Sequence, residues 1–138
     1  MTRTEAREVA YKMIFGDQFL DCGFDMDNFV NLLDGQSFDD ADVEFVKGLV
    51  TGVREHLDEL HQLIERNLSA YKYDRLFSAD KAGLLLCTYE LKYTTDTPHK
   101  VAINEALNLV RKYSTEKSAG FVNSVLDKIY KEIVEVNE

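Results

Sequence analysis

The sequence predicts an all-α protein of about seven helices, and three observations carry that expectation. Apolar residues recur at three- and four-residue intervals in one segment after another, which is the period of a helix face. Ser, Thr and Asp stand where those segments begin, as N-caps do. The single proline, Pro98, lies at the entry to one of them, where a missing N–H costs nothing. At 138 residues the chain is one domain, long enough to bury about two-thirds of the surface its unfolded form exposes.

The first helix is expected from about Thr4 to Asp21, with Ala6, Val9, Ala10, Met13 and Leu20 as its buried face. Arg3, Arg7, Tyr11 and Phe15 follow at steps of four and form a stripe that drifts around one side. Arginines can hold phosphates and aromatic faces can stack unpaired bases, so the stripe is a candidate RNA contact. The plainer alternative puts Tyr11 and Phe15 in the core and leaves the arginines as a solvated edge. Residues 21–42 are acidic, with Gly23, Gly35 and Ser37 as loop markers around a short helix from Met26 to Leu33. Ser37-Phe38-Asp39-Asp40 reads as the entry to the next helix. From Val43 to Leu68, Phe45, Val46, Leu49, Val50, Val53, Leu57, Leu60 and Ile64 mark one long helix, or two joined near Gly52. A linker at Asn67 to Tyr73 divides an N-terminal half, about 1–68, from a C-terminal half, about 69–138, within a single domain.

Ser78 is the expected N-cap of a helix from Ala79 to Tyr93, with Asp80 in its first turn. Its middle, Leu84-Leu85-Leu86-Cys87, is apolar nearly all round, so the helix is central to the core or used at an interface, where Tyr89, Leu91 and Tyr93 would extend it. After the turn at Thr94 to Pro98, a helix to Tyr113 turns Ala102, Ile103, Ala106, Leu109, Val110 and Tyr113 inward. Ser114 or Thr115 caps a final helix whose apolar positions include Val122, Val125, Ile129 and Ile133. Lys117 and Phe121 fall in its first two turns, where a helix N-terminus attracts phosphate and an exposed ring could stack a base. Asn104 and Asn123 sit at the margins of apolar faces and are expected to tie side chain to backbone.

The net charge of −9 argues against polyanions at first, but residues 1–70 hold 15 acids against 6 bases while residues 71–138 hold 10 of each. Nine of the acids lie between Asp17 and Glu44, a stretch without Lys or Arg, so an anion could still bind elsewhere. Asp25, Asp27 and Asn28 lack the alternating ligands of a calcium loop, and His56 and His61 point about 140° apart on a helix, so no metal or other cofactor is expected. Cys22 and Cys87 form neither a disulfide framework nor a metal knuckle. No apolar run approaches the ~20 residues of a membrane span, and no basic leader precedes an apolar segment, so a cytoplasmic protein is expected. The chemistry of an enzyme is missing too: there is no phosphate-cradling Gly loop, nucleophile elbow or paired-carboxylate site.

Two phrases, Val101-Ala102-Ile103-Asn104-Glu105-Ala106 and Phe121-Val122-Asn123-Ser124-Val125-Leu126, resemble the C-terminal signature of the NusB-type transcription antitermination factors. Ala6-Arg7-Glu8 and Tyr89-Glu90-Leu91 continue the resemblance in the same order, and the length fits a whole chain of that family. The resemblance implies two small helix bundles packed together. It also implies binding of a single-stranded boxA-type element of ribosomal RNA leaders jointly with ribosomal protein NusE, within an RNA polymerase antitermination complex. Residue by residue it adds Arg3, Arg7, Lys100, Lys117 and Phe121 to the RNA contacts, alongside Phe15, and Asp80 and the Tyr89 region to the protein contacts. Thr4, Glu5 and Gly120 stand where family members often carry basic residues, so weaker RNA binding by the isolated chain is expected. The family contains monomers and dimers, which leaves a homodimer open. The competing expectation is a protein-interaction scaffold with little RNA affinity, using the Ser78–Tyr93 helix or the acidic stretch.

Overall fold

Local side-chain chemistry sets where the helices begin. Thr2 accepts the Glu5 N–H at 3.0 Å while the Glu5 carboxylate accepts the Thr2 N–H at 2.8 Å, a reciprocal cap that opens α1 (Arg3–Leu20). Asp39 and Asp42 repeat the device at 2.9 and 3.0 Å for α3 (Asp40–Glu55), and the N-terminal ammonium lies 3.2 Å from Asp42. Between them lies α2 (Met26–Leu32), followed after α3 by α4 (Leu57–Arg66), α5 (Ser78–Tyr93), α6 (His99–Tyr113) and α7 (Glu116–Asn137). The computed structural model describes residues 1–69 and 72–137. Among these there are seven α-helices, one short 3-10 turn at Tyr73–Arg75 and no strand, so the all-α expectation holds.

The joint expected near Gly52 lies instead at His56, which ends α3 and begins α4. Gly52 is a packing residue: a Cβ there would come within 2.2 Å of the Tyr89 ring. Ser78 is the first helical residue rather than the cap, a shift of one position, and the carbonyl of Phe77 accepts the Asp80 and Lys81 N–H groups at 3.0 Å. Thr115 caps α7, accepting the Ser118 N–H at 2.9 Å. Asn104 and Asn123 are both exposed, so neither ties the helices together as expected.

Helix α5 is the axle of the molecule. It packs against α1, α3, α4, α6 and α7, and Leu84, Leu85, Leu86 and Cys87 are buried on every side. Each such leucine contributes about 1.5–3 kcal/mol of burial, so this one turn anchors the core. Gly83 lets α6 approach, since a Cβ would meet Val110 Cγ2 at 2.6 Å. Helix α1 contacts both α5 and α6, and α4 contacts α7, so the two halves of the chain share one core.

Candidate nucleic-acid interface

Four residues at steps of four on α1 spread over about 120°, and the structure divides them accordingly. Arg7 and Tyr11, in the middle, face inward. Arg3 and Phe15, at the margins, face out. Arg7 Nε donates to both Glu90 oxygens at 3.0 and 3.2 Å, Nη2 donates to Thr97 Oγ1 at 3.1 Å, and Nη1 lies 3.9 Å from Glu105. The side chains of Arg7 and Glu90 are only 5% and 2% exposed. Burial pushes the Glu90 carboxyl up against the opposing pull of the Arg7 charge. Arg7 is therefore a tie between α1, α5 and α6, which corrects its expected place on the surface. Tyr11 is buried as well, its hydroxyl donating to the Ala79 carbonyl at 2.8 Å.

Arg3 lies with its guanidinium 4.1 Å from the centre of the Phe45 ring, on the α3 side of α1. Phe15 sits about 18 Å further along the axis, edge-on to Phe19 at 5.5 Å, so these two are not brought together. Phe15 instead shares the side of α1 that faces the end of α6, and there the structure assembles a cluster the sequence reading missed. Tyr113, expected inside, is 38% exposed and stacks on the buried Tyr11 at 5.5 Å. The ammonium groups of Lys12 and Lys112 lie 5.8 and 5.4 Å from the Tyr113 ring centre. Lys112 also pairs with Glu8 at 2.8 Å, and that hydrogen bond raises its pKa. The signal in the sequence was Lys112-Tyr113 at the end of a helix, just before the Lys117 and Phe121 already singled out.

Lys117 is exposed in the first turn of α7, across the turn from Tyr113, and Phe121 is half-buried against the core. Lys100 is exposed in the first turn of α6, about 18 Å along that helix from Lys112. Of the expected phosphate contacts, Arg3 and Lys100 thus stand apart from each other, and Lys117 lies across the turn from the Lys12–Lys112 cluster.

Asp80, expected among the protein contacts, is buried at 4% exposure. Its Oδ2 accepts from Ser118 Oγ at 2.9 Å, Ser118 accepts from Ser114 at 3.1 Å, and Oδ1 has no hydrogen-bond partner. It ties the start of α7 to the start of α5. Tyr89, nine residues on, projects roughly 180° away around α5, over Gly52 and within 6.2 Å of His56, so the two share no surface. Phe77 is exposed just before α5, and the Gln18 amide, donating to the Ser78 carbonyl at 2.9 Å, holds the end of α1 with its exposed Phe19 and Leu20 to that end of α5. Among the described residues no group of His, Cys, Asp and Glu could hold a metal, and no helix is long and apolar enough to cross a membrane.

Fold and surface define an all-helical domain wound around one apolar helix, with a cation- and aromatic-bearing side at the junction of α1, α6 and α7 and an acidic side at α2 and α3. The NusB family model matches residues 4–131, and the chain belongs to that family. It is 38% identical to the transcription antitermination protein NusB of Clostridium botulinum strain Kyoto over 142 aligned positions, covering 94% of this chain and 99% of that protein. T. maritima NusB superposes with a TM-score of 0.84 at 32% identity, over 96% of this chain and 92% of that one. A chain in a crystal structure of antitermination factors NusB and NusE with dsRNA superposes with a TM-score of 0.80 at 30% identity, over 94% and 96%.

Proposed function

We propose that this protein is an RNA-binding transcription antitermination factor that takes a single-stranded boxA-type element together with ribosomal protein NusE. In that role it acts inside an RNA polymerase antitermination complex, in the cytoplasm, on ribosomal RNA operons, as a binding factor rather than an enzyme. The observation that carries the reading is the exposed Tyr113 ring with the ammonium groups of Lys12 and Lys112 at 5.8 and 5.4 Å from its centre, across the turn from Lys117, while Phe15 is exposed on the same side of α1. Aromatic faces and ammonium groups alternating at this spacing suit bases and phosphates of an unpaired strand. Lys117 and Lys112 hold phosphates, Phe15 and Tyr113 stack bases, Phe121 walls one edge, and Arg3 and Lys100 engage flanking nucleotides. Arg7 contributes by holding α1 in place.

Glu8 competes for Lys112, and Glu5 and Gly120 thin the basic surface, so the isolated chain binds weakly and NusE supplies the rest. The exposed Phe19, Leu20 and Phe77 suit NusE, with Asp80 shaping that edge from inside; a second copy of the chain would compete for the same patch. Titrating the protein into a labelled boxA-type RNA, with and without NusE and at two salt concentrations, tests the reading. Salt-sensitive binding that NusE tightens is expected. Silence at low salt even with NusE would leave the scaffold reading, which the −9 charge and the exposed phenylalanines favour.

A further inference from the structure

The acidic stretch forms a surface of its own. On α2, Phe29 and Leu33 turn into the core, while Met26 and Val30, one turn apart, remain 42% and 47% exposed. Phe38 packs edge-on against Phe29 at 5.3 Å and is still 40% exposed, so it adjoins the same helix. Asp27, Asp34, Asp40 and Glu44 surround these three side chains in sequence, are exposed, and have no cationic partner among the described residues. Other carboxylates are taken up by cations: Arg54 pairs with Asp17 and Asp21, Arg66 with Glu132, and Lys92 with Glu59. Residues 26–44 thus carry three large exposed apolar groups and four unpaired carboxylates, with Lys47 and the N-terminal ammonium on Asp42 as the cations at their margin.

We propose that the outer face of α2, with the start of α3, docks a cationic amphipathic segment of a partner protein. Its apolar side chains cover Met26, Val30 and Phe38, and its lysines or arginines meet Asp27, Asp34, Asp40 and Glu44. Charge complementarity selects the occupant: a polyphosphate is repelled from a stretch with nine acids and no base, and a second copy of this face would bring like charges together. The site is independent of the RNA reading and lies on different helices from the Tyr113 cluster.

A synthetic peptide with leucines at helical spacing among lysines serves as the probe, titrated into the full chain by anisotropy. One control replaces its leucines with serine and another its lysines with glutamate. The first peptide is expected to bind roughly tenfold more tightly than either control. Met26→Ser/Val30→Ser should lose that advantage, and Asp27→Asn/Asp40→Asn should flatten its salt dependence, both with unchanged circular-dichroism melts. Amide shifts in NMR should centre on residues 26–44. Equal binding of the serine peptide, unchanged binding by both variants, amide shifts elsewhere, a dimer that Val30→Ser abolishes, or labelled RNA shifting the same amides would each overturn the proposal.

Discussion

Two of the cation–carboxylate clusters that join α1 to its neighbours differ in depth. Arg7 with Glu90, Thr97 and Glu105 is sealed between α1, α5 and α6. Lys112 with Glu8, beside Lys12 and Tyr113, lies at the surface about 100° around α1 from Arg7, with the Lys112 side chain 59% exposed. An ion pair in water is worth at most about 1 kcal/mol, so a phosphate can displace Glu8 from Lys112. A sealed pair has no such exchange open to it, because either partner left alone is an uncompensated buried charge. Position on the helix, rather than residue type, decides which cation is structural and which is available to a ligand.

The sharpest way to break this comparison is Arg7→Ala, expected to cost about 3–5 kcal/mol in chemical denaturation. Arg7→Met with Glu90→Met should recover most of that, since apolar replacement of a whole buried pair is often neutral. A single-variant loss below about 1 kcal/mol would mean that the pair behaves as a surface one. Next in size, Phe15→Ala should weaken binding of the boxA-type RNA by about 1–3 kcal/mol in a titration, with little change in the melt. Lys117→Ala and Lys112→Ala should each lower the slope of log affinity against log salt by about 0.7, whereas Glu8→Gln, which frees Lys112, should tighten binding. The smallest effect is acid sensitivity. Hydrogen bonds from Arg66 to Glu132, and from Lys92 and Tyr93 to Glu59, hold both carboxyls below their ordinary 4.5. A depressed carboxyl stabilises the fold above its unfolded value, and that contribution is lost as pH falls through the folded one. The Tm should therefore drop from about pH 4.5 downward, and Glu132→Gln should make the drop shallower.

Helix number, order and most buried faces were legible because the apolar period of a helix survives in sequence: Val9, Met13, Leu84 and Ile129 needed no tertiary knowledge. Depth was not legible. Arg7 and Asp80 look like surface charges until Glu90 and Ser118, 83 and 38 residues away, are seen to meet them. Gly52 reads as a helix joint until Tyr89 is found against it. Tyr113 has the spacing of a core residue, yet it lies where α6 ends and stays 38% exposed, flanked by lysines rather than apolar side chains on that side. Periodicity gives the direction of a side chain; how far the neighbouring helices extend over it comes only from packing.

The most direct test of where RNA rests is photo-crosslinking of a boxA-type RNA carrying 4-thiouridine to the protein with NusE, with the crosslinked peptides identified by mass spectrometry. Crosslinks are expected in the α1 segment around Lys12 and Phe15 and in the segment from Lys112 to Phe121. Crosslinks confined to residues 26–44, or to NusE alone, would contradict the account.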